Sequence, residues 1–166
     1  MVKRAPKPDY LAILRTLTEH EVEFIIVGGV CAVLHGAPIA TFDLDVVHSR
    51  DPENIRHLLT ALESLEAYAR GQGARKIVPN ESHLASPGHQ LLMTRFGPLD
   101  LLGAVGTGQR YEDLVPFTIE LPVEGRLKVR VLDLETLIRL KEEAGRDKDR
   151  AVLPILRRTL EEKSRS

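Results

Sequence analysis

An apolar run closed by two glycines, Phe24-Ile25-Ile26-Val27-Gly28-Gly29, followed by the alternating segment Phe42-Asp43-Leu44-Asp45-Val46-Val47, constrains this chain more than any other feature. Four consecutive apolar residues ending at glycine read as a buried strand that must turn sharply. In an extended segment side chains alternate faces, so Asp43 and Asp45 share one side while Phe42, Leu44 and Val46 share the other. Two carboxylates side by side repel each other, and a hard divalent cation such as magnesium relieves the repulsion. Without a cation, the same pattern describes a solvated edge strand of alternating polarity.

Asp100 shifts that balance. It stands between Leu99 and Leu101, an expensive place for a carboxylate unless it faces a cleft or meets a partner. If its strand neighbours the first, three acids converge. Three carboxylates suffice to hold one or two magnesium ions that bridge the oxygens of a nucleoside triphosphate. Gly28-Gly29 would supply the anion side of such a site, since glycine lets the backbone approach a phosphate and a following helix presents unpaired N–H groups.

The rest of the chain predicts the frame around these residues. Tyr10, Leu11, Leu14 and Leu17 recur at helical spacing over 9–20, and 30–35 reads as a short buried helix closed by Gly36. Residues 41–48 form a second strand. Asp51-Pro52-Glu53 starts a helix that continues to about Tyr68. Residues 70–87, rich in Gly, Ser, Asn, Pro and charge, read as an irregular connection and lid candidate. Residues 90–95 and 99–104 make a hairpin about Phe96-Gly97-Pro98, and 117–121 with 127–132 make another. Asp133 caps a helix to about Ala144-Gly145, and Pro154 kinks or restarts a last helical region over 148–163. The expected fold is one α/β domain over 1–166: a small mixed sheet, helices mainly on one face, acids at an open edge of the other, and the C-terminal helices (133–163) completing it.

Composition narrows the partners. The formal charge of −1 gives no global attraction to nucleic acid, and 4% aromatic residues leave few platforms for stacking RNA bases. The lone Cys31 lies in an apolar helical stretch and reads as a buried thiol. Residues 1–8 are short, basic and proline-broken, and no segment approaches the roughly 20 apolar residues of a membrane span. A cytoplasmic protein is expected. His35, His48, His83 and His89 are not spaced as a zinc set; His35 reads as packing near the glycine turn, and His83 and His89 stand beside the irregular segment, at the mouth of any substrate site there.

Taken together, Gly28-Gly29 with Ala32 and His35-Gly36, then Thr41-Phe42-Asp43-Leu44-Asp45, then Leu99-Asp100-Leu101, resemble the polymerase-β-like nucleotidyltransferase superfamily. The small stand-alone forms found in bacterial toxin–antitoxin systems are similar in size. Leu137-Ile138-Arg139-Leu140-Lys141 and Arg146-Asp147-Lys148-Asp149 are similar to segments of the abortive-infection type. The resemblance implies magnesium-dependent transfer of a nucleoside monophosphate to an acceptor hydroxyl on RNA such as tRNA, a protein or a small molecule. It implies Asp43, Asp45 and Asp100 as catalytic metal ligands, with Asp100 as ligand or general base. Gly28, Gly29, Thr41, Lys141 and Asp149 are implied as nucleotide-binding; read from spacing alone, Lys141, Glu142, Arg146 and Asp149 equally describe a solvated helix face with i,i+3 and i,i+4 pairs. Two departures stand out: Ile39 occupies a position where many relatives carry arginine, and Val30 one where serine or a small residue is frequent. Ile39 favours the competing expectation, a catalytically silent nucleotide-binding or antitoxin-like module that recognises a partner protein; the three acids favour the enzyme.

Overall fold

The computed structural model describes residues 7–165. The basic leading segment considered above lies outside these up to residue 6. The elements run α1 (Tyr10–Glu19), β1 (Phe24–Val27), α2 (Gly28–Leu34), β2 (Leu44–His48), α3 (Pro52–Ser64), β3 (Tyr68–Ala69), α4 (Glu81–Ala85), β4 (His89–Thr94), β5 (Gly97–Leu102), α5 (Tyr111–Leu114), β6 (Thr118–Glu124), β7 (Leu127–Leu132), α6 (Leu134–Ala144) and α7 (Asp147–Ser164).

The strands make one mixed sheet in the order β3-β4-β5-β2-β1-β7-β6. β1 lies antiparallel to β2 and parallel to β7, and β2 lies parallel to β5. Both expected hairpins are present as the antiparallel pairs β4/β5 and β6/β7. All four residues of β1 are buried, so both faces are covered at the sheet's centre, as a continuous apolar run requires. Ile13, Leu17, Ile26, Leu44, Ile55, Leu58, Leu62 and Leu99 belong to one apolar core.

Local chemistry accounts for the helix ends. Asp9 caps α1 by accepting from the Ala12 N–H, and Asp133 caps α6 by accepting from the Thr136 N–H. Gly145 closes α6 with φ +62°, a left-handed conformation that favours glycine. Asp51 precedes Pro52 as expected, but its side chain makes no capping hydrogen bond.

Five expectations are corrected. α2 begins at Gly28, so the glycines open the helix instead of preceding it. β2 begins at Leu44, leaving Thr41 to Asp43 as an extended approach. α3 stops at Ser64 because Glu66 takes a positive φ of 53° and the chain turns into β3. The segment 70–87 is not wholly irregular: Asn80 and His83 form a reciprocal cap that starts α4, and Leu84 is buried. α7 passes through Pro154 without a restart.

Candidate active site

Strand pairing assembles the acids. β2 and β5 are neighbours in parallel register, with Asp45 opposite Asp100, so both carboxylates leave the same face. Asp43 joins them from the extended residue just ahead of β2. Each of the three offers an oxygen, and these atoms lie within 4.8 Å of one another. The cluster sits on the interior strands β2 and β5, not at the sheet's edge as expected, because the edges are taken by β3 and β6. Asp100 is buried and Asp43 and Asp45 are half-buried. Burial first, then the charges of Asp100 and Asp43, push the Asp45 carboxyl up to about 7.

The glycines make room for this arrangement. Gly28 has φ +68°, and a Cβ there would overlap the Asp45 carboxylate. A Cβ on Gly29 would stand 2.8 Å from the Thr41 Cβ. The Thr41 hydroxyl donates to the Asp43 carbonyl at 3.2 Å, and its own carbonyl accepts from the Tyr10 hydroxyl at 3.2 Å. The glycine pair is therefore a fitting between β1 and the acid-bearing segment.

A cleft of about 450 Å³ opens from Asp45 and Gly28 to the α6–α7 junction, where Lys141, Arg146 and Asp149 line it. Asp149 is almost wholly buried and is met by Arg146 Nε at 2.7 Å and Lys141 Nζ at 3.4 Å. It is not part of a solvated helix face. Burial pushes its carboxyl up, but the hydrogen bond from Arg146 and the charges of Lys141 and Arg146 outweigh that and hold it below the ordinary value. A larger hollow of about 640 Å³ lies between α3 and residues 76–79, lined by Leu62, Tyr68, Lys76 and Val78 among others. It contains none of the three clustered acids, so the smaller cleft is the chemically equipped one.

No family model and no curated protein matches the sequence. Solved structures do match in shape. A Thermotoga maritima protein assigned as a nucleotidyltransferase superposes with a TM-score of 0.59 at 20% identity, over 96% of this chain and 98% of that one. The lincosamide antibiotic adenylyltransferase LnuA, with lincomycin bound, gives 0.60 at 17%, over 89% and 94%. ANT(2″)-Ia in complex with adenylyl-2″-tobramycin gives 0.59 at 15%, over 91% and 87%. The fold is that of a nucleotidyltransferase.

Within this nucleotidyltransferase fold, the eight residues singled out from sequence fall into two groups. Asp43, Asp45, Asp100, Gly28, Gly29 and Thr41 gather around the starts of α2 and β2. Lys141 and Asp149 come together on the helix side of the cleft, joined by Arg146, which the resemblance placed in the same segment without singling it out. Two further residues were missed. Arg70 Nη2 stands 2.7 Å from Asp100 Oδ1, although Arg70 belonged to the segment read as irregular. The Tyr10 phenol is held above its ordinary value by burial first and then by Asp43 and Asp45, yet Tyr10 reads in sequence as one more apolar position of α1. Of the histidines, His89 lines the cleft, His83 caps α4, and His35 is buried with Nε2 donating to the Leu132 carbonyl at 2.8 Å and Nδ1 accepting from Lys163 at 2.6 Å. Among the described residues, no helix is long and apolar enough to cross a membrane.

Proposed function

We propose that this protein transfers a nucleoside monophosphate from a nucleoside triphosphate to an acceptor hydroxyl, with magnesium bound by Asp43, Asp45 and Asp100. The observation that carries the proposal is the convergence of three carboxylates, from two register-paired strands and one extended residue, at the end of a cleft whose far wall bears Lys141. The donor set fits the ion: hard, anionic oxygens within one coordination sphere's span, buried and crowded enough to raise a carboxyl, and a glycine whose missing Cβ leaves Asp45 its place. When bound, magnesium would neutralise charge on the phosphates and on the departing pyrophosphate.

The chain's own residues do the rest. Lys141, half-buried beside Asp149, places an ammonium group along the triphosphate. Asp149 orients Lys141 and Arg146. The backbone of Gly28 and Gly29, with Thr41 beside it, lies against the phosphates. Asp100 is the residue to accept the acceptor's proton as its oxygen bonds to the α-phosphorus and the bond to pyrophosphate breaks. Ile39, which packs against the core, leaves the arginine contact of many relatives unfilled.

The acceptor we favour is a small molecule with a free hydroxyl, because two of the structural neighbours were solved with an aminoglycoside or lincosamide ligand. A tRNA or protein acceptor, and a toxin–antitoxin setting, rest on the sequence resemblance alone. Incubating purified protein with each α-labelled triphosphate and a panel of hydroxylated small molecules, RNA and cell extract, with magnesium or with chelator, tests the proposal. Chelator-sensitive label on an acceptor supports it. Triphosphate bound but never consumed would favour the silent binding module.

A further inference from the structure

The three acids do not face one another uncompensated. Arg70, which directly follows β3, is fastened to β4 at two points. Its main-chain N–H donates to the Leu91 carbonyl at 2.9 Å, and its Nη1 donates to the Leu92 carbonyl at 2.8 Å. That anchorage delivers Nη2 to 2.7 Å from Asp100 Oδ1. Asp100 is 8% exposed, and its Oδ1 has no aligned hydrogen bond, so the contact is charge against charge in a poorly hydrated place. Because Leu91 stands opposite Asp100 on the neighbouring strand, the guanidinium reaches the acids across β4.

We propose that Arg70 is the built-in counter-ion of the acid cluster: a positioning residue that holds Asp100 in the metal-free protein and competes with the divalent cation for it. The inference rests on the metal-site reading above. Arginine keeps its charge at any working pH, so it is a permanent positive charge that an incoming cation must meet. Its presence eases the crowding of the acids when no ion is bound. The same charge repels the ion that would replace it. Those two effects separate Arg70 from an arginine that only packs, since removing a packing residue would not tighten metal binding.

Arg70→Gln keeps a polar head and removes the charge. Manganese binding to the purified full chain, followed by the electron-spin signal of free Mn²⁺, should tighten by about three- to thirtyfold in this variant. The metal-free melting temperature should fall, and Arg70→Lys should bind manganese nearly as wild type does. Unchanged or weaker binding by Arg70→Gln overturns the inference. If the glutamine variant does not fold, the wild type answers instead: with isotope-labelled arginine, saturating magnesium should move the Arg70 side-chain NMR signal, and an unmoved signal overturns the inference. A wild type that binds neither manganese nor magnesium overturns the metal-site reading and this inference with it, whereas metal binding indifferent to Arg70 overturns the inference alone.

Discussion

On the strand wall of the cleft, Asp43, Asp45 and Asp100 crowd together with the Arg70 guanidinium against one oxygen of Asp100; on the helix wall, the buried Asp149 is met by Arg146 at 2.7 Å and Lys141 at 3.4 Å. The first cluster carries excess negative charge, and burial together with the neighbouring Asp100 and Asp43 raises the Asp45 carboxyl. The second is charge-satisfied, and its carboxyl is held low. The difference teaches that buried acids on a single cleft can serve opposite ends. Asp149 stabilises the native state by being ionised, while Asp45 is ionised at a cost that a bound cation would offset.

The largest expected effect separates the walls by chemistry. Asp43→Asn removes a negative charge from the strand wall at nearly constant shape, and labelled-nucleotide transfer should fall by about a thousandfold or more. Activity within a few-fold of wild type would remove Asp43 from the metal site.

Asp149→Ala should act on stability instead. It strips Lys141 and Arg146 of their shared partner and deletes the cap at the start of α7. Denaturant unfolding should show a loss of about 3 kcal/mol, toward the low end for a broken buried pair because Arg146 is largely exposed. The sign of the pH dependence follows. With its folded carboxyl below the ordinary value, Asp149 contributes stability that is fully present above about pH 4 and is lost as pH falls through the folded value. The gap between wild type and variant should therefore close in acid. A gap that stays constant down to low pH would show that the loss comes from packing, not from the ion pairs.

A smaller effect tests the fitting between glycines and acids. Gly29→Ala should cost about 1–2 kcal/mol, since the added Cβ meets Thr41, and Thr41→Gly in the same chain should recover part of that. If the single variant is as stable as wild type, the glycine is there for the ligand rather than for Thr41. The smallest effect is at Cys31, whose thiol burial pushes up to about 12. A thiol reagent at pH 8 should label it only as fast as the chain opens, and rapid labelling of the native protein would contradict its burial.

Much of the strand wall was legible in sequence because its signals are local. Alternation over two residues puts Asp43 and Asp45 on one side, and leucines on both sides of Asp100 announce a carboxylate in an apolar strand. The cap at Asp133 and both hairpins follow from chemistry within a few residues. The helix wall was half legible: Lys141 and Asp149 could be named from resemblance, but their periodicity equally suits a solvated face, and burial depends on how α6 and α7 pack. Arg70 gave no signal. Its partner lies thirty residues on, and it reaches Asp100 only because Glu66 turns the chain and β3 pairs with β4. Pro154 does not restart α7 for a related reason, since a helix tolerates a lost internal hydrogen bond when its other face is packed, as Leu153 and Leu156 are here.

The most direct test of the contrast is one variant with two readouts. Asp45 carries a folded carboxyl raised to about 7, so between its unfolded value near 4 and that point the native state binds the extra proton, and stability falls as pH rises through the window. Asp45→Asn removes this burden along with the charge that would hold magnesium. Measured at pH 7.5 (roughly the upper end of that window), the variant should lose nucleotide transfer while its metal-free melting temperature holds or rises. Transfer that survives, or a melting temperature that falls as steeply as that of Asp149→Ala, would contradict the assignment of the strand wall as the metal-binding half of the cleft.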